Sequence, residues 1–166
     1  MAYSKLSFLA LGGIGALAVS ALLAGAAYSA APKPKVITLT QIGCQFLESE
    51  NGVSHGFKPK SGKDCEAINA RTGKERLAKA KTLMLAPGKY IFRVTNTNVP
   101  YELGFWLREH DYSLRNPFHK LTKISVSGGG LHLGQTQDYE VELKEGEYLY
   151  SCPLNPTPDY RLVVKG

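Results

Sequence analysis

The sequence is short of the patterns that carry most readable enzymatic and metal chemistry. Its four histidines, His55, His110, His119 and His132, stand singly. They make no His-x-His, no HExxH and no Cys/His zinc spacing, so the zinc sites recognisable from spacing are excluded. No Gly-x-Ser-x-Gly occurs, which removes the nucleophile elbow, and no paired carboxylates read as catalytic. Ser127-Gly128-Gly129-Gly130 lacks a following Lys-Ser/Thr and any βαβ context. It is therefore a turn between strands and not a phosphate loop. Basic and aromatic residues do not interleave, which argues against nucleic acid as a partner. Methionine is reduced to two residues and tryptophan to one. There are no internal repeats. The reading is of a chain with no catalytic constellation.

Cysteine is also scarce, and its number is odd: Cys44, Cys65 and Cys152. An oxidising compartment pairs two and leaves one. The N-terminus points to such a compartment. Lys5 precedes residues 6–27, which carry no charge and are rich in Leu, Ala and Gly, and small residues close the run at Ala24-Gly25-Ala26-Ala27 and Ser29-Ala30-Ala31. Positive, apolar, then small is the order of a secretory signal. The apolar run is longer than a usual signal core and matches the ~20 residues that span a bilayer. Two readings therefore stand: a cleaved signal peptide, or a retained anchor attaching the chain to a membrane through residues 6–27. Both export the remainder to the periplasm. Residues 1–31 are assigned to this leader and residues 32–166 to one domain, large enough for a core of its own.

Within that domain, period-two alternation predicts strands over residues 36–46, 83–85, 90–94, 135–143, 148–152 and 161–165, with shorter apolar runs at 101–107 and 124–126. Ala86-Pro87-Gly88-Lys89 reads as the turn of a hairpin. Residues 48–63 read as a loop and 108–123 as a long connection. Asp64 reads as the N-cap of a short helix over residues 64–69 that Gly73 stops, and residues 74–81 read as one further helical turn or two. Short strands at this spacing, with Gly/Pro turns between them, indicate an all-β, Greek-key β-sandwich carrying one short helix or irregular insertion.

The last third of the chain resembles a known family. A strand, then Gly146-Glu147-Tyr148-Leu149-Tyr150-Ser151-Cys152, a loop, and the closing strand Arg161-Leu162-Val163-Val164 resembles the C-terminal hairpin of cupredoxins. Val94-Thr95-Asn96 after the Pro-Gly turn is similar to that family's mid-domain strand. The resemblance covers most of residues 36–166. It implies a blue-copper fold, whose site takes two His, one Cys thiolate and a weak axial Met. Only the cysteine transfers, as Cys152. Tyr101 stands near the place of the first His. The loop Pro153-Leu154-Asn155-Pro156-Thr157-Pro158 holds neither His nor Met, and Asp159 and Tyr160 fill the place of the Met.

Cys152 then has three readings: a buried small hydrophobe, a disulfide partner, or a metal ligand. In the third it recruits His110, His119 and His132 to one pole of the sandwich and binds copper. Cys44 with Cys65 is the preferred disulfide. For a loop of roughly 20 residues such a bond contributes about 3 kcal/mol. A basic stretch that includes Lys74, Arg76 and Lys79 is either a solvated surface or a docking patch. Tyr101, Trp106 and Tyr160 are either core or interface anchors. The expectation is an exported accessory module without the usual copper site, docking on a periplasmic or membrane-protein complex. The alternative is a periplasmic copper- or iron-handling or electron-transfer protein with an atypical site on Cys152.

Overall fold

The computed structural model describes residues 33–166. The leader assigned to residues 1–31 lies outside the described residues. Two sheets face each other. One has the order β2-β1-β4-β7, built from β1 (Lys35–Ile42), β2 (Gln45–Phe46), β4 (Gly88–Asn96) and β7 (Thr136–Leu143). The other has the order β3-β9-β8-β5-β6, built from β3 (Leu83–Leu85), β9 (Tyr160–Val164), β8 (Gly146–Ser151), β5 (Leu103–Glu109) and β6 (Ser125–Leu131). β1 runs parallel to β4, and β3 parallel to β9; the remaining pairs are antiparallel. The result is an all-β, two-sheet architecture consistent with a cupredoxin-like sandwich.

Period two decides which side chains enter the core. β4 buries Tyr90, Phe92 and Val94, and exposes Lys89 and Arg93. β8 buries Tyr148 and Tyr150, and β9 buries Tyr160 and Leu162. Phe105 sits between the layers, 5.4 Å from Phe92 and 5.1 Å from Tyr139 by ring centroid. The abundance of tyrosine is affordable because the buried hydroxyls find acceptors or donors. Tyr90 donates to Ala86 O at 2.8 Å, Tyr148 to Lys144 O at 2.9 Å, and the Tyr150 hydroxyl meets Ser49 Oγ at 2.7 Å.

Four sequence expectations need correction. Ala86-Pro87 does not close a hairpin: β3 and β4 lie in different sheets, so the turn carries the chain from one layer to the other. Ser127-Gly128-Gly129-Gly130 is not a turn but the body of β6. Its glycines allow close approach. A Cβ on Gly104 would lie 2.5 Å from Gly128 O, and one on Gly128 would lie 2.9 Å from the Tyr139 ring. The long connection after β5 contains a single helical turn, α2 (His119–Thr122).

The fourth concerns the helix. It is not short: α1 spans Gly62–Lys79, 18 residues. Ser61 is its N-cap, and Asp64 sits three residues in, where its carboxylate accepts from Ser61 N–H at 3.0 Å and Lys60 N–H at 2.7 Å. Gly73 does not stop it. A mid-helix glycine costs about 1 kcal/mol against alanine but keeps its backbone N–H, so tertiary anchoring outweighs it. Those anchors are named below. No helix among the described residues is long and apolar enough to cross a membrane.

Candidate functional site

The pole of the sandwich where β8 runs into its loop collects residues from four segments. Asn96, at the end of β4, shapes the first. Its Nδ2 donates to Val99 O at 3.0 Å and its Oδ1 accepts Val99 N–H at 3.0 Å, which turns the chain so that Tyr101 faces the pole. β5 supplies Gly104. The turn after β1 supplies Cys44, held with positive φ. α1 supplies Cys65, bonded to Cys44 as the sequence reading preferred.

Cys152 is buried and free. Its Sγ accepts the N–H of Gly104 at 3.4 Å and of Asn155 at 3.2 Å. Burial pushes the thiol above its ordinary range, and those two donors only partly offset this. A thiol held protonated in a dry pocket is a poor nucleophile.

Asn155 fills the space beside it and is fully buried. Its Oδ1 accepts the N–H of Cys44 at 3.1 Å and the hydroxyl of Tyr101 at 2.9 Å, and it lies 3.0 Å from Cys65 Sγ. Its Nδ2 donates to Ile42 O at 3.1 Å. Burial, with smaller contributions from the Cys152 and Asp64 charges, pushes the Tyr101 phenol up to about 12. Tyr101 is thus a neutral donor at any ordinary pH.

The copper implied by the family resemblance does not fit these residues. A blue-copper site needs imidazoles and a thiolate. Here the sulfur accepts the N–H groups of Gly104 and Asn155, and the Asn155 amide oxygen beside it already accepts two hydrogen bonds. Among the described residues, no three or more His, Cys, Asp or Glu side chains come together as a ligand set.

The histidines expected to converge do not. His110 is exposed in the turn after β5, and His132 is exposed after β6. His119 turns inward on its own loop, where its Nδ1 accepts Ser113 N–H at 2.9 Å. His119 and His132 are held by hydrogen bonds within their own turns and His110 by its N–H on Glu147 O of β8, so loop proximity in sequence does not translate into a shared pole.

Two proposed interface residues are also corrected. Arg76 is buried, not part of a free basic face. Its guanidinium holds Glu50 through Nη2–Oε1 at 2.6 Å and Nε–Oε2 at 3.0 Å, and reaches Cys44 O at 2.8 Å and Asn69 Oδ1 at 2.7 Å. Tyr160 is fully buried and its hydroxyl donates to Glu50. His55 Nε2 lies 2.6 Å from the other Glu50 oxygen. Burial alone would raise the Glu50 carboxyl. The hydrogen bonds from Arg76, Tyr160 and His55, with the charge of Arg76, reverse that and hold it below the usual carboxylate range. Glu50 and Asn155 are the two residues the sequence reading missed. Asn155 could have been noticed as the one amide in the cysteine loop. Nothing local marks Glu50.

The other interface candidates remain accessible. Lys74 and Lys79 are exposed, Lys79 pairing with Glu75 at 2.6 Å. Trp106 is partly exposed on the outer face of its sheet, with the Arg108 guanidinium 4.0 Å above its ring. Arg108 is in turn held by Asp159 at 2.7 Å, so the residue in the expected axial position makes an ion pair.

No protein-family model matches the chain, and no curated protein sequence matches it. Among solved structures it is similar to auracyanin B, with a TM-score of 0.49 and 12% identity over 82% of this chain and 94% of that one. It is also similar to a multi-copper oxidase from Pediococcus acidilactici, with a TM-score of 0.38 and 14% identity over 98% of this chain and 31% of that one.

Proposed function

We propose that this chain is an exported binding module on a cupredoxin-like sandwich, whose ligand pole is closed by protein–protein hydrogen bonds and which acts by docking on a periplasmic or membrane-complex partner. The observation that carries the reading is Asn155. It consumes the polar groups of Cys44, Tyr101 and Ile42 at the place where the related fold would present ligands. The apolar leader in the sequence supports export. The test is optical and stoichiometric. Purified protein titrated with Cu(II) and Cu(I) should show no thiolate-to-copper band and no one-to-one binding at micromolar metal. A band that disappears in Cys152→Ser would overturn the closed-pole reading. For docking, the full chain should co-purify from solubilised membranes in a defined complex; recovery only as a free monomer would overturn that half.

A further inference from the structure

The three most exposed large hydrophobic side chains among the described residues share one loop. Leu114, Phe118 and Leu121 are 65%, 71% and 85% accessible. Core packing does not explain them, because the loop is fixed by contacts that do not use them. Ser113 N–H is bonded to His119, Tyr112 sits edge-on to Trp106 at 6.0 Å, and Ile124 N–H is held by Glu109 at 2.8 Å. A clustered apolar tip on a polar base marks an interaction surface.

The charges around it indicate the partner. Lys123 neutralises both acidic neighbours, reaching Asp111 at 2.7 Å and Glu109 at 3.4 Å. Arg115 and Lys120, which flank the apolar side chains in sequence, enter no ion pair among the described residues. Leu114 lines a shallow cavity with Trp106, Tyr112 and Lys120, while Phe118 and Leu121, the two most exposed, stand out of the surface. A protein partner would need a pocket shaped to receive them. A bilayer interface takes up apolar side chains without shape complementarity, and its anionic headgroups match the flanking cations.

We propose that the loop at residues 112–123 is a lipid-contacting element that inserts Phe118 and Leu121 into an anionic bilayer surface, with Arg115 and Lys120 at the headgroups. This does not rest on the state of the Cys152 pole, and copper binding and vesicle binding fail independently.

The test uses the full chain carrying Leu121→Trp, with the native chain, whose one tryptophan is Trp106, as the baseline. It is mixed with phosphatidylglycerol vesicles bearing brominated acyl chains, and in parallel with brominated phosphatidylcholine vesicles. Emission from position 121 is expected to be quenched in the anionic vesicles. Removing both cations with Arg115→Gln and Lys120→Gln should shift the quenched–unquenched equilibrium about thirtyfold. That shift is expected whether or not residues 6–27 hold the chain on the vesicle, since all variants share them. Phe118→Asp should abolish quenching while circular dichroism stays unchanged. Absence of quenching in anionic vesicles would overturn the proposal, as would equal quenching in phosphatidylcholine or indifference to the two Gln substitutions. So would lipid-free self-association that Phe118→Asp dissolves, which would make the loop a protein interface.

Discussion

Arg76→Met tests whether the buried Glu50 cluster holds α1 against the sandwich. Methionine keeps much of the length and apolar stem but deletes every donor. Glu50 then stays buried with only Tyr160 and His55 against it, and Cys44 O and Asn69 Oδ1 each lose a partner. Breaking a buried pair by removing one member costs about 3–5 kcal/mol. For a domain of this size that lowers Tm by roughly 10–15 °C. The pH dependence carries the diagnosis. In the native chain the Glu50 carboxyl is depressed. Its stabilisation is complete above the unfolded carboxylate value, about 4.3, and is lost as pH falls through the lower folded value. In the variant, burial dominates and the folded value rises above the unfolded one. The deficit is therefore largest near neutrality and shrinks as pH falls and Glu50 takes up a proton. Urea unfolding at pH 7 and pH 4 measures both. With Glu50→Gln in a double-mutant cycle, the pair should be less destabilised than the sum by about 1–3 kcal/mol. A loss under about 1 kcal/mol at pH 7, or the same loss at pH 4, would refute the argument.

Asn155→Ala leaves the Cys44 N–H, the Ile42 carbonyl and the Tyr101 hydroxyl without their partner. It should cost about 2–4 kcal/mol in urea unfolding, and an unchanged midpoint would show that water replaces the amide freely. Gly104→Ala sets a Cβ against the Gly128 carbonyl, which a side-chain rotation cannot relieve, so about 1–3 kcal/mol is lost, read as a lower Tm. Gly73→Ala is expected to act in the opposite sense. The nearest atom to its Cβ is Asn69 Cβ at 3.6 Å, an ordinary contact. The helix should gain about 0.5–1 kcal/mol, and a fall in Tm would show that Gly73 is needed for packing.

The readable parts of the fold were those set by local alternation. β7, β8 and β9 follow the period-two pattern of residues 136–164, and the Cys44–Cys65 bond was the preferred pairing. The misreadings share a cause: a distant partner. Gly128 to Gly130 read as a turn by composition, yet they form a strand because Gly104 and Tyr139, on other strands, require closeness there. Gly73 read as a helix stop, yet α1 continues because Arg76, one turn on, is bound to Glu50 from the other side of a long loop. Arg76 itself looked like one more surface cation among Lys74 and Lys79, since charge counting along the chain cannot see a buried carboxylate 26 residues earlier. Tyr160, open in sequence to a core or an interface reading, is core, with its hydroxyl on Glu50.

The closed pole and the long helix are one construction. α1 is fastened at three heights: by the Cys44–Cys65 bond, by Asn69 Nδ2 donating to Pro156 O at 2.5 Å, and by Arg76 on Glu50 and Cys44 O. The second fastening lands on the residue after Asn155, so the helix positions the loop that fills the pole. Asn155 in turn bonds the Cys44 backbone, which carries the first fastening. The poor fit of copper to this pole is therefore not a matter of two missing imidazoles alone. Placing histidines at Tyr101 and Asn155 would remove the Asn155 amide that satisfies Cys44 N–H and Ile42 O while α1 still pressed the loop into place. The buried backbone groups would stay unpaired at about 1–3 kcal/mol each. A metal-binding variant would have to release the helix as well as supply the ligands.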